Sequence, residues 1–379
     1  GAMKAGDVSC GGPCWKWTGT DLEKWSEEKM SDSIGVGMIG SGFMGLSYSQ
    51  CLKAHVNGAH LVGIAGGTRA AKLAEDYAVP VFESVEGLVA NDDVKAVIVA
   101  TPDQYRLEIT HIVAAAGKHL LVEKPMAPTT AQCDEMIQIC KDAGVKLGVV
   151  KTERFRTLTN KAKALIEDGT VGDIRMMRTI SAFPITLTRD IFNEREWMYD
   201  PNGGGLFMGM ASHNTDFLRW LTGREVVKVF AQVNTFSDIN APAQSVMAQL
   251  QFEGGIMAHM WITSELPPPS IPSSEVRFEV IGSDAMLDFE NFDFLRMGRG
   301  DSWEDVYVPE KFDWANDPKN PVRLEPHTRV IQGFIDDLQA ERPIRVGGVD
   351  GRAAIEICEA CLLSAKTGEA VSLPLGGVA

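Results

Sequence analysis

Ile34-Gly35-Val36-Gly37-Met38-Ile39-Gly40-Ser41-Gly42-Phe43-Met44-Gly45 is the stretch on which the fold turns. An apolar run of strand length leads straight into G-x-G-x-x-G, and a helical stretch continues to Ala54. The glycine pattern alone is weak, but between a strand and a helix it becomes specific. Each glycine has its own reason. Gly40 permits the tight turn, Gly42 lets the backbone approach a pyrophosphate, and Gly45 lets the helix close on the sheet. Phe43 and Met44 complete the loop, where the first N–H groups of the helix offer themselves to an anion. The alternative is a βα turn that binds nothing.

Outward from this loop the same texture repeats. Short apolar runs at Gly35–Ile39, Leu61–Ala65, Ala96–Ala100, Leu120–Glu123 and Leu147–Val150 read as strands. Helical patterns lie between them at Gly45–Ala54, Arg69–Tyr77, Leu107–Ala116 and Thr130–Asp142. Strands alternating with helices predict an α/β fold, a doubly wound parallel Rossmann sheet over residues 34–153. Residues 154–379 read differently. Helices at Asn160–Asp168 and His213–Leu221 precede closely spaced strands at Val226–Asn234, Ser245–Phe252, Ile256–Thr263 and Val276–Gly282. The Pro-rich loop Leu266–Pro272 parts two of them, and helices at Arg329–Gln339 and Asp350–Thr367 close the chain. This half is predicted to be α+β, with a large, mainly antiparallel open sheet. Residues 1–33 read as a polar leader in which the pattern of Asp21–Met30 suits a short amphipathic helix; Gly1-Ala2-Met3 reads as the remnant of a cleaved tag.

Bulk properties bound the function. The 379 residues carry 36 Lys and Arg against 51 Asp and Glu, a net charge of −15. A surface of that sign does not suit a phosphate backbone, so nucleic acid is not an expected partner. Neither a membrane span nor a signal peptide is legible, and a cytoplasmic protein is expected. The seven cysteines do not suggest a disulfide framework. Cys133 with Cys140, and Cys358 with Cys361, have the spacing of one helical face and read as small buried hydrophobes. Cys10 and Cys14 leave three readings open: half a metal site, an oxidised pair, or a disordered leader. No metal is expected.

Cofactor choice is written about 20 residues beyond the glycines, where a carboxylate would hold the ribose 2′-hydroxyl of NAD. Here stands Ala65-Gly66-Gly67-Thr68-Arg69, without a carboxylate. Thr68 and Arg69 suit the 2′-phosphate of NADP, because a guanidinium matches phosphate geometry. The reading therefore favours NADP over NAD. A solvated first-turn arginine is the alternative.

Three more segments are distinctive. Ala100-Thr101-Pro102-Asp103 ends one strand, and Val122-Glu123-Lys124-Pro125 ends the next. Gly203-Gly204-Gly205 precedes His213 and Asp216, then Leu218-Arg219-Trp220-Leu221-Thr222-Gly223. With the glycine loop, these resemble the Gfo/Idh/MocA family of NAD(P)-dependent sugar and polyol oxidoreductases, from about Ile34 to Pro374. The resemblance implies a nicotinamide held between the two halves, with Thr101, Pro102, Glu123 and Lys124 beside it. It implies that Lys124 contacts the reacting hydroxyl, that His213 is the general base, and that the bend at Pro125 often contains a cis peptide. It also implies a homodimer or homotetramer built through the outer face of the second sheet.

Those roles make chemical sense. Oxidising an alcohol removes a hydride and a proton; histidine titrates near neutrality, and an ammonium stabilises the developing alkoxide. The chain also departs from the family at the chemistry. Gly209 stands where an Asp is frequent, Ala211 where a Gly is frequent, Asp103 for Asn and Arg106 for His. Further carbohydrate contacts are expected from Arg154, Trp197, Tyr199 and Asn214. Each has a plainer alternative: Arg154 as a solvated or ion-paired residue, Trp197 as core. Asp216 is open between a structural and a polar-network role.

The leading expectation is hydride transfer between a nicotinamide and a hydroxyl or keto carbon of a sugar, cyclitol or glycoside. Two alternatives remain at this stage. One is a sugar lyase or glycosidase that keeps its NAD(H) and passes through a transient keto-sugar. The other is a non-catalytic dinucleotide-binding sensor.

Overall fold

The computed structural model describes residues 33–194, 200, 202–239, 241, 243–313 and 317–376, with the side chains of 191–194 left aside. The leader, with Cys10, Cys14 and the Asp21–Met30 helix, lies outside the described residues, as do Trp197 and Tyr199. From Ile34 onward the chain forms one compact unit.

The first half runs β1 (Ile34–Ile39), α1 (Phe43–Ala54), β2 (Ala59–Ala65), α2 (Ala70–Tyr77), β3 (Val81–Phe82), α3 (Val85–Val89), β4 (Val94–Val99), α4 (Arg106–Ala115), β5 (His119–Val122), α5 (Thr130–Asp142) and β6 (Leu147–Val149). The six strands are parallel in the order β3-β2-β1-β4-β5-β6. Chain direction away from β1 reverses between β1 and β4, and the crevice at that point, outside the strands' carboxyl ends, is where open α/β sheets take ligands. Gly35–Ile39 is buried throughout, which is why it reads as a continuous apolar run.

The second half runs α6 (Thr157–Glu167), β7 (Met176–Pro184), α7 (Ile185–Glu194), α8 (Gly205–Thr222), β8 (Val226–Asn234), β9 (Ser245–Phe252), β10 (Met257–Leu266), β11 (Arg277–Ile281), β12 (Met286–Glu290), β13 (Phe294–Arg299), β14 (Ser302–Tyr307), α9 (Pro321–Gln339), α10 (Gly348–Thr367) and β15 (Val371–Ser372). Nine strands form one sheet, β14-β13-β12-β11-β7-β10-β9-β8-β15, antiparallel except where β7 meets β10. One face packs on α8 and α10, while the other stays open, giving β9 its strict alternation of buried and exposed residues.

Strand β7 lies in the middle of this sheet, yet the sequence reading passes over it. Its inward positions Thr179 and Ser181 are buried but polar, so the apolar alternation that marks a half-buried strand is missing. Both hydroxyls meet the Asn214 side chain on α8. Helix α8 likewise starts at Gly205 rather than His213. Glycine costs about 1 kcal/mol in a helix interior, and two of the first five residues are glycine. Packing on the sheet overrides that preference.

Helix α9 returns to the Rossmann sheet. Val330, Ile331, Phe334, Ile335 and Leu338 join Val36, Met38, Leu52 and Ile64 in one core. It begins at Pro321 and runs through Pro326, although the sequence pattern is legible only from Arg329. Helix α10 packs on α5 and α8 and carries Cys358 and Cys361 inward; these and Cys133 and Cys140 are buried free thiols. Phe217 of α8 meets Phe278 with ring centroids at 4.5 Å and Phe289 at 6.1 Å, and is fully buried. Phe217→Ala is expected to lower unfolding free energy by about 3–5 kcal/mol, read as a drop in the denaturant midpoint at unchanged slope.

Candidate active site

The glycine loop has the predicted shape. Gly40 adopts φ +107, and a Cβ there would stand 2.6 Å from the Ala100 carbonyl oxygen at the end of β4. A Cβ on Gly45 would stand 2.2 Å from the Gly40 oxygen, so only glycine lets α1 close on the turn. Gly42 is different: among the described residues, a Cβ there would have only the Arg69 guanidinium, at 3.8 Å, within 4 Å. Helix α1 starts at Phe43 without a side-chain cap, leaving its first N–H groups for an anion. An uncapped helix start over an open glycine fits the pyrophosphate of a dinucleotide. Thr68 and Arg69 are exposed beside it, and the Ser41 hydroxyl accepts from the Arg69 amide at 3.2 Å.

The ends of β4 and β5 are clamped by Arg106, the residue that departs from the family pattern. Its buried guanidinium donates to the carbonyls of Thr101 (Nε at 3.1 Å), Glu123 and Pro125. Lys124–Pro125 is cis. Asp103, also a departure, is buried and accepts from the Gly204 amide at 2.9 Å. A Cβ on Gly204 would come within 2.7 Å of that carboxylate. The triple glycine is therefore the place where the first half grips the start of α8. The Thr101 hydroxyl is buried without a partner among the described residues, next to the turn at Gly40.

Two lysines from adjacent strand ends reach α8. Lys124 donates to the Gly209 carbonyl at 3.2 Å, and Lys151 to the Ser212 carbonyl at 3.0 Å. Gly209 and His213 are four residues apart and share a helix face, so Lys124 meets the face that carries His213. Burial holds the imidazole of His213 well below its ordinary pKa, and the charges of Lys124, Lys151 and Arg156 add to the effect. It is neutral at physiological pH, and its Nδ1 is buried without a hydrogen bond among the described residues. A neutral imidazole with an unspent polar atom is the state a proton acceptor needs.

Two expected carbohydrate contacts lie elsewhere. Arg154 is engaged in a two-point pair with Asp216 (2.8 and 2.7 Å) and a third bond to Asp350 at 2.8 Å. Three acceptors on a buried guanidinium tie α8 to α10, so the ion-paired alternative holds and Asp216 is its anchor. Asn214 is 1% exposed and turned into the sheet toward Thr179 and Ser181, away from the face of His213. Adjacent residues on a helix point about 100° apart, so neighbouring His213 in sequence does not bring Asn214 into the cleft.

Apart from Phe43, which belongs to the glycine loop read from the sequence, other residues at the site have no sequence signal of their own. Tyr48 on α1 is buried and donates to the Glu123 carboxylate. Its ring lies 5.9 Å from that of His327 on α9. Phe43 lies under the guanidinium of Arg323, 4.3 Å from its ring centroid. Arg156 pairs with Glu153 at 2.9 Å and lies 4.6 Å over the Phe292 ring. Lys151 alone was recoverable: it follows β6 as Lys124 follows β5, at the ligand-binding end of the sheet.

His327 makes the site acid-sensitive. Burial lowers its pKa to about 3, and Arg156, Arg323 and Lys124 push the same way. The unfolded chain binds a proton below pH 6.5 that the folded chain refuses. Stability from this group is therefore complete above 6.5 and is lost as pH falls, by about 1.4 kcal/mol per unit. His327→Gln is expected to shrink the stability difference between pH 7 and pH 5 by about 2 kcal/mol, measured by denaturant titration at both.

Comparison with known proteins agrees with this architecture. Residues 34–151 match the model described as "Oxidoreductase family, NAD-binding Rossmann fold", and 159–288 match that of the GFO/IDH/MocA C-terminal domain. Myo-inositol 2-dehydrogenase from Thermotoga maritima is 25% identical over 345 residues, covering 89% of this chain and 98% of its own. A 1-carboxy-3-chloro-3,4-dihydroxycyclohexa-1,5-diene dehydrogenase from Comamonas testosteroni is 30% identical over 192 residues, but the match spans only 45% of that protein. The crystal structure of an aldose–aldose oxidoreductase from Caulobacter crescentus superposes with a TM-score of 0.77 at 25% identity, covering 90% of this chain and all of that one. With both halves matched in order, the chain belongs to the Gfo/Idh/MocA family of oxidoreductases.

Proposed function

We propose that the protein transfers a hydride between a nicotinamide cofactor and a hydroxyl or keto carbon of a sugar or cyclitol. The observation that carries this reading is the meeting of Lys124 with the Gly209–His213 face of α8, at the carboxyl ends of the parallel strands. The nicotinamide, when bound, supplies the hydride acceptor or donor. Lys124 holds the reacting oxygen and stabilises its negative charge as the proton leaves. His213, kept neutral by burial, takes that proton and returns it in the reverse direction. The names of the relatives, an inositol 2-dehydrogenase and an aldose–aldose oxidoreductase, support net hydride transfer and do not favour the lyase alternative. Purified protein with NAD or NADP and a panel of sugars, cyclitols and their keto forms is expected to change the nicotinamide absorbance. No change with any compound overturns the reading.

The preference for NADP rests on Arg69. Its guanidinium stands by Gly42, and no carboxylate follows β2. Arg69→Ala is expected to raise the KM for NADP by about 10-fold, with that for NAD within about twofold. Equal effects on both would place Arg69 outside the 2′-phosphate site. A homodimer or homotetramer through the outer face of the nine-stranded sheet is supported by the exposed Met176, Phe230, Met247 and Met257 there. Cytoplasmic residence fits a dinucleotide-dependent enzyme, and no helix among the described residues is long and apolar enough to cross a membrane.

A further inference from the structure

Arg154 belongs to the framework, and Arg156, two residues further on, is the arginine beside the chemistry. Its charge is close enough to act on both His213 of α8 and His327 of α9. Lys151 and His327 act on His213 as well, but they are nearly closed off from solvent, at 1% and 7% exposed. Lys124, Arg156 and His213 itself keep accessible surface. Of the groups around the base, Lys124 and Arg156 are therefore the two with surface to offer a substrate.

Arg156 is held from behind. Its Nε donates to Glu153 at 2.9 Å, and the Phe292 ring lies under the guanidinium, 4.6 Å from its carbon to the centroid. Glu153 is buried and accepts a second bond from Asn291, the neighbour of Phe292. Asn291 and Phe292 form the turn between β12 and β13. The buried Glu290 carboxylate fixes that turn, accepting from the Phe292 amide at 2.8 Å and the Val276 amide at 3.0 Å. A side chain that follows the last Rossmann strand is thus aimed by a turn of the second sheet. Burying these polar groups has a desolvation cost, and what it secures is a guanidinium locked in one orientation.

The ion pair with Glu153 meets the charge of Arg156 at Nε. Glu153 is the side chain's one hydrogen-bond partner among the described residues. The two Nη atoms thus act as a planar fork of N–H donors rather than as a counter-ion. A rigid fork of that kind suits two oxygens on adjacent carbons.

We propose that Arg156 binds the substrate: its Nη groups donate to two neighbouring hydroxyls of a sugar or cyclitol whose reacting oxygen lies at Lys124. This rests on the hydride-transfer reading and deepens it, because it assigns the site to a neutral vicinal diol beside the reacting carbon.

The test sets methyl glucoside, methyl galactoside and myo-inositol each beside its ring-deoxy forms. Turnover is measured with the oxidised dinucleotide. Equilibrium binding is measured by calorimetry with the reduced one, so that no alcohol is consumed. Arg156→Met is expected to raise KM and Kd for the parent compounds by at least about 10-fold, with kcat within about threefold. Removal of a contacted hydroxyl is expected to weaken binding to the parent protein by about 10-fold, and to Arg156→Met by less than about twofold. Arg156→Lys keeps a cation by Glu153 and Phe292 but loses the fork, and is expected to lose the same discrimination. Dinucleotide affinity serves as the folding control for both variants.

Deoxy penalties that stay as large in Arg156→Met and Arg156→Lys as in the parent protein overturn the inference and leave the hydride-transfer reading standing. A fall in thermal stability with unchanged affinity for every compound also overturns it, since Arg156 would then be structural. Binding that shows the expected coupling, with no change in the nicotinamide, overturns the hydride-transfer reading while the diol contact stands. Neither binding nor turnover of any of these compounds overturns both.

Discussion

Lys124→Ala is expected to lower kcat by about 10²–10³-fold with dinucleotide affinity unchanged. The ammonium leaves the end of β5 and meets the Gly209 carbonyl at 3.2 Å, placing it against the face of α8 that carries His213. A positive charge fixed there acts on the alkoxide, which carries more negative charge in the transition state than in the bound alcohol. Its loss therefore falls on kcat rather than on binding. Cofactor titration and steady-state kinetics on the same preparation check this. A large rise in KM with kcat preserved would assign Lys124 to ground-state binding alone.

Loss of the His213 imidazole is expected to produce a comparable fall, of about 10²–10⁴-fold, and to change the pH profile. In the parent protein the acid limb of kcat/KM for alcohol oxidation is expected below the ordinary histidine range, because burial and the cations around His213 disfavour its protonated form. The sign follows directly. The base must be neutral to accept a proton, so activity is full above the lowered pKa and is lost as pH falls through it. His213→Asn keeps a polar group of similar reach and removes the titration. Its residual activity should rise with pH in step with hydroxide, without that limb. A variant retaining the parent's acid limb would show that another group accepts the proton.

These two predictions concern residues that the resemblance to the family singles out, carried by motifs of fixed spacing. The glycine loop and the triple glycine are fixed by close backbone approaches that only glycine permits, some within one turn and some across the fold, as where Gly204 meets Asp103. Gly40 needs its positive φ, Gly45 the absence of a Cβ against the Gly40 oxygen, and Gly204 room for Asp103. Such demands leave fixed residue types at fixed spacing. Five of the six parallel strands were equally plain, because strands buried on both faces write continuous apolar runs, whereas the edge strand β3 is two residues long and not buried. Strand β7 was not, because Thr179 and Ser181 trade apolar contact for hydrogen bonds to a helix some 35 residues on. Nor was the start of α8, where two glycines argue against a helix that the sheet imposes.

The sequence by itself determined the glycine loop and the alternation of strands and helices around it, since each is a local steric or periodic constraint, while the candidate lysine and histidine came from the resemblance to the family. The tertiary structure decided the rest. It turned Arg154 and Asn214 from the cleft into the framework, through Asp216 and Asp350 for one and through β7 for the other. It brought His327 and Arg323 back from the end of the chain to the first helix. It also brought Lys124, Lys151 and Arg156 to His213 from three separate places in the chain. Contacts between residues distant in the chain leave no spacing to read, because only the packing of α8 and α9 against the strand ends makes them neighbours.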